Sequence, residues 1–296
     1  MQFVADIRKN IAETIYQIDR VTVIAQVTLF MFVVFGPSFW FTVPIYQGAL
    51  LLSLVFPKVV KTSYLWIVIT TVTALALFSE WHSVDNHKWL MLYWGLAFVV
   101  ATVVSRGDTD ALHVFLKKNA WFMLIFIMGL SVVQKILGGA YLSGAFFEFT
   151  LLTDQRFFII THYLGGLPAK DFFLNAEMFL QYPRAEFTLF LTQRVTLIAF
   201  VMTYALLLIE ILIPVFLLIQ KKSYQNFAHL LNGLFIAVVY LIAPVYAFGF
   251  LLAVLGIACL SSDSRKLFLM YILLMLVIFL YKVPWFSLYY YFTIGV

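Results

Sequence analysis

From Ala120 to Val133 the chain runs fourteen residues without a charge, then meets Gln134 and Lys135 and breaks at Gly138-Gly139. Backbone amides in so apolar a run must bond to one another, which selects a helix. At about 1.5 Å per residue, Lys135 lies roughly 23 Å along it. A hydrocarbon core is about 30 Å thick, so the ammonium falls in its far third or near the far interface. Comparable runs recur along the chain. With 64% hydrophobic and 11% charged residues, against about 25% charged in soluble domains, there is too little polar surface to wrap a soluble core. The expected class is an all-α polytopic integral membrane protein, multi-pass in the cell membrane, forming a single transmembrane domain over residues 1–296.

Nine transmembrane or re-entrant segments are expected: Val21–Thr42 (interrupted by Gly36-Pro37), Val43–Pro57, Ser63–Ser79, Trp89–Ser105, Ala120–Leu137, Val195–Ile219, Phe227–Ala243, Val245–Leu260 and Leu267–Tyr281. Val43–Pro57 is short, with Pro44 at its start and a re-entrant path as its alternative, and the charge pattern favours its crossing. With the N-terminus cytoplasmic, this count puts 12 of the 19 basic residues inside, clustered at span ends such as Lys117-Lys118, Lys221-Lys222 and Arg265-Lys266. That is the positive-inside pattern. Residues 1–20, with Ile7, Ile11, Ile15 and Ile18 at helical spacing, form an amphipathic helix on the cytoplasmic surface. The segment 138–194 is too polar to span and too apolar to float free. Its Phe pairs predict amphipathic helices on the outer face. Trp285–Val296 is aromatic and uncharged and suits the outer interface.

The net charge of +5 comes from these span-end cations and implies membrane lipids as partners, not nucleic acid. One cysteine, Cys259, excludes an internal disulfide and CxxC chemistry. No phosphate-binding loop, GxSxG elbow or HExxH motif is present.

Few residues are left to carry chemistry. Glu210 lies eleven residues before Lys221, about 16 Å into the membrane by helical rise, where a charge is most costly. The expected partner is His229 on the next, antiparallel span, either as a contact that pins two helices or as a proton or ligand site. Pro214, one turn on, frees a carbonyl there. The outer loop from Glu80 to Lys88 packs His82, Asp85 and His87 together, as a solvated loop or as part of a polar outer pocket with Lys135. A metal would need a further ligand such as His162 or Glu148, and none is expected. Lys135 either snorkels to the interface or acts as a desolvated base oriented by Gln134, His87 or Asp85. Arg194 either anchors its span or pairs with an anionic ligand group.

Three stretches together carry a resemblance: Asp85-Asn86-His87-Lys88-Trp89-Leu90; Gly129 to Gly144 with Gln134-Lys135-Ile136 and Tyr141-Leu142-Ser143-Gly144; and Ile209-Glu210 to Pro214 with the His229 helix after it. In that order they resemble the HTTM family, membrane domains similar to the vitamin K-dependent gamma-glutamyl carboxylase. The family's glycine closely precedes its lysine, whereas Gly129 here is six residues back. The resemblance implies a base that deprotonates a lipid-soluble quinol so that oxygen can generate a strong base. That role falls on Lys135, with His87, Asp85 and His82 in support and Gln134, Tyr141 and Arg194 around the cofactor. The large soluble domain that engages a carboxylase's protein substrate is not expected in this chain. Small bacterial relatives mature secreted peptides, and a secreted peptide or lipid-soluble substrate is the expected partner. Two other functions compete: a non-enzymatic scaffold subunit binding other membrane subunits, and a proton-coupled transporter using Glu210 and His229.

Overall fold

The computed structural model describes residues 19–82, 84–181, 188–242, 245–261 and 263–282. Residues 1–18 and the 285–296 tail, on which two of the expectations above fall, lie outside the described residues. Among the described residues every regular element is helical. The nine apolar segments correspond to α1 (Arg20–Phe35), α2 (Thr42–Val55), α3 (Ser63–Ser79), α4 (Asn86–Ser105), α5 (Thr109–Leu137), α9 (Gln193–Leu218), α10 (Lys222–Ile242), α11 (Tyr246–Cys259) and α12 (Arg265–Lys282). Between α5 and α9 come α6 (Gly139–Leu142), α7 (Ala145–Thr153) and α8 (Ala169–Gln181), with short 3-10 and π turns at Gln155–Phe157 and Ile160–Leu164. Among the described residues three helices, α4, α5 and α9, are long and apolar enough to cross a membrane, as a helical membrane protein requires. By rise, the 14 residues of α2 reach only about 21 Å.

Two boundaries differ most from expectation. The first helix stops at Phe35, with Gly36 extended at φ −63°, ψ 169°, because Pro37 disfavours the helical conformation in the residue before it. The fifth helix starts at Thr109, eleven residues before the uncharged run, and carries Lys117 and Lys118 within its length. Asp108 opens that helix, its carboxylate accepting from the amides of Asp110 and Ala111 at 2.9 and 3.2 Å. That is an N-cap geometry.

The chain divides into two compact units, residues 1–123 with 246–296, and residues 124–245. The division falls inside α5.

In the first unit α11 is the central element. All but two of its residues are buried, and it packs on α1, α4 and α12. Gly256 makes the close approach possible, since a Cβ there would lie 2.3 Å from the Tyr271 ring of α12. The remaining contacts are tied by hydroxyls and indoles. Trp94 Nε1 donates to Thr28 at 2.9 Å, Tyr46 bonds Thr73 at 2.7 Å, and Trp66 Nε1 donates to the Val60 carbonyl at 2.7 Å. Such bonds hold helices where lipid gives no hydrophobic drive between them. Asp19 caps α1 and pairs with Lys61 at 2.5 Å. Burial pushes its carboxyl up, but bonds from Lys61, Thr22 and the Val21 amide outweigh that and leave it below the usual carboxylate value.

In the second unit α9 packs on α10 along its length and on α7, and α7 in turn packs on α8. Gly144 starts α7 with φ +80°, and its bare Cα lies against the Phe200 ring. Segment 138–194 is thus helical in its described part, with α7 and α8 as its longer helices. The segment's return to α9 is fastened by Asn175, fully buried on α8, which donates to the Phe190 carbonyl at 2.8 Å and accepts from its amide at 2.7 Å. Asn175→Ala leaves both backbone groups unpaired. It is expected to lower stability by about 1–3 kcal/mol, read as a shift in the denaturant midpoint of the detergent-solubilised protein.

Candidate functional site

The site grows from the end of α5. Ser131 and Lys135, four residues apart, share one face of that helix. Both meet Glu210 of α9: Lys135 Nζ forms an ion pair with Oε1, and Ser131 Oγ donates to Oε2 at 3.3 Å. The Glu210 side chain is 3% exposed and that of Lys135 23%. A charge so placed persists only when paired and hydrogen-bonded. After Leu137 the chain turns at Gly138, and the one-turn helix α6 brings Tyr141 back over the lysine. Its ring centroid lies 4.9 Å from Nζ, within cation–π range. The Tyr141 hydroxyl is buried and, among the described residues, has no hydrogen-bond partner. Burial first, then the Glu210 charge, push its phenol above the ordinary value, so it remains a protonated donor.

These groups open onto a cavity of about 1120 Å³ formed wholly within residues 124–245. That is slightly above the roughly 300–1,000 Å³ of typical ligand pockets. Phe146, Phe147, Phe149, Phe157, Phe179 and Phe235 supply much of its apolar wall, and Gln134 lies beside Lys135. A second polar group on the wall is Asp154-Arg156. Arg156 Nε reaches both Asp154 oxygens at 2.7 and 2.8 Å, and its amide donates to Oδ1 at 3.0 Å. The bonds from Arg156 hold the Asp154 carboxyl below the usual range, against the opposing effect of burial.

The Lys135–Glu210 pair was not expected from the sequence, which set Lys135 beside Gln134, His87 or Asp85 and Glu210 beside His229. Glu210 and His229 are both buried, at 2% and 4% exposure, on the paired helices α9 and α10. Pro214 sits inside α9 and has no N–H to give the Glu210 carbonyl. His82, Asp85 and His87 belong to the first unit. Asp85 precedes α4, with Oδ2 3.8 Å from Nε2 of His87. Arg194 is exposed in the first turn of α9, beside Gly166, and does not line the cavity. His162 Nδ1 bonds the Leu167 carbonyl at 2.8 Å and its ring stacks on Phe158. Glu148 lines a separate hollow of about 430 Å³. Among the described residues no three His, Cys, Asp or Glu side chains come together as a metal site.

Chemically, the arrangement offers an amine, a carboxylate beside it, and a phenolic donor without a partner among the described residues, at the end of an apolar chamber. No family model, curated protein or solved structure matches this chain.

Proposed function

We propose that the chain is an HTTM-like, multi-pass protein of the cell membrane, with nine membrane segments and a cytoplasmic N-terminus. Its second unit binds a lipid-soluble molecule of the quinol class and uses Lys135 as a base. A secreted peptide or a lipid-soluble compound is the downstream substrate. The observation that carries this reading is the buried Lys135–Glu210 pair on the wall of an aromatic-lined cavity.

The residues suit such a ligand. The Tyr141 hydroxyl needs a partner, and an oxygen on the ligand head supplies one. The aromatic wall accepts rings by edge and face, and the volume admits a bicyclic head with part of its tail. A bound quinol supplies an acidic O–H whose removal leaves the ring ready to react with oxygen. Lys135 acts on that proton. Before it can do so its ammonium must give up its own, and Glu210 is placed to accept it. The pair then holds the abstracted proton as an ammonium facing a carboxylic acid. Tyr141 orients the head through its donor, and the bound ligand, seated against the Phe wall, covers the amine from water. A pure scaffold has no need of such a chamber, and this favours the ligand reading over the subunit alternative.

The test is oxygen uptake by the full chain in nanodiscs supplied with a reduced naphthoquinone. Lys135→Ala is expected to lose about 10²–10⁴-fold, the usual range for a positioned general base. Equal rates in the two proteins would remove the base assignment.

A further inference from the structure

The charges on the cavity wall say more than the lysine does alone. Among the described residues four charged side chains line it, Lys135 and Arg156 against Glu210 and Asp154. Two positive and two negative groups sum to zero, and each cation is paired with a carboxylate on the same wall. We infer that this cavity selects an uncharged, oxygen-bearing amphiphile and turns away anionic lipids, with Glu210 acting as the residue that masks Lys135. This rests on the proposal that the cavity is a ligand site, and it defines which lipids that site accepts.

The physical reasoning concerns what an anionic head would meet. Sites for lipid phosphates and carboxylates present Lys or Arg with unspent charge. Here a carboxylate or phosphate approaching Lys135 would face Glu210. To take its place it would have to strand a side chain that is 3% exposed, the costly way to break a buried pair. At the other polar group both Asp154 oxygens already hold the Arg156 guanidinium, so a second anion there would meet a charge that is already neutralised. The Tyr141 hydroxyl, on a residue 7% exposed and without a partner among the described residues, recognises any oxygen and asks for no charge. The exposed Gln134 amide beside it does the same. The neutrality holds whether the Lys135–Glu210 pair is ionic or has shared its proton, since either form sums to zero.

The test is equilibrium binding to the full chain in nanodiscs, corrected for empty discs, with two tritiated probes that share a ring: 2-methyl-1,4-naphthoquinone, uncharged, and 1,4-dihydroxy-2-naphthoate, anionic. The wild type is expected to prefer the uncharged probe by at least about tenfold. Glu210→Gln keeps a carbonyl for the ammonium but unmasks its charge, and should raise affinity for the naphthoate by about tenfold, a coupling of ordinary size. The double change Lys135→Met with Glu210→Gln should abolish that gain and keep the uncharged probe. If Glu210→Gln does not fold, Tyr141→Phe carries the test, since loss of one hydrogen bond should weaken the uncharged probe by about tenfold without admitting the naphthoate. Equal wild-type affinity for the two probes would overturn the inference and leave the cavity a ligand site. So would a Glu210→Gln ratio unchanged from wild type. Binding of neither probe would overturn both this inference and the ligand site. Selective binding without oxygen uptake would remove only the base chemistry.

Discussion

Glu210→Ala should destabilise the folded protein by about 3–5 kcal/mol, the usual cost of removing one partner from a buried ion pair. Lys135 would then keep its ammonium against the Tyr141 ring, with Ser131 deprived of its acceptor. The loss comes less from the missing attraction than from the charge left behind. Replacing both residues together with Leu should therefore recover most of the stability, because an apolar pair of similar volume leaves nothing unpaired. Cys259, buried and the chain's single cysteine, provides the readout. Its reaction with a thiol dye reports unfolding along a denaturant series. A Glu210→Ala midpoint equal to that of the wild type, or a double variant no better than the single, would mean that the pair is not coupled in the folded state.

Trp66→Ala should cost about 3–5 kcal/mol, the range for truncating a large buried aromatic. Trp66 is fully buried and stacks on Phe98 of α4, with centroids 3.7 Å apart and planes 17° off parallel. Its indole N–H serves the Val60 carbonyl in the turn before α3. The substitution opens a void between α3 and α4 and orphans that carbonyl. In lipid the void is felt as lost dispersion contacts rather than as exposure to water. Trp66→Phe separates the two effects, keeping most of the packing and losing only the bond, for about 1–3 kcal/mol. The same thiol reaction measures both, and a Trp66→Ala shift no larger than that of Trp66→Phe would show that packing there contributes little.

Local rules made much of the helical layout legible in advance. Ser63–Ser79 could be read to the residue, because Thr62 and Glu80 bound an uninterrupted apolar run. The Gly36-Pro37 break is visible as chemistry, and its consequence is a full stop at Phe35 rather than an interruption within one span. The start of α5 was missed because a charge-free window discards Lys117 and Lys118, which a helix carries without difficulty on a polar face. The site was legible in parts and not in its pairing. Lys135 and Glu210 stand 75 residues apart, and no local pattern joins them. One signal was available: each is a lone charge set within a long apolar run, and two such charges of opposite sign satisfy each other more cheaply than either is satisfied alone. Tyr141 was singled out only through the family resemblance. The Asp154-Arg156 pair, two residues apart in an aromatic segment, gave no periodic cue.

Pro214 gives α9 a place to flex. The rung from position 214 back to Glu210 is missing from the outset, so tilting one half of that rod against the other at this height tears nothing further in the backbone. The carboxylate that neutralises the amine rides on the joint itself. Anything that wedges the chamber wider is thus free to change how far apart the two charges stand, and mechanical opening and chemical unmasking become a single event.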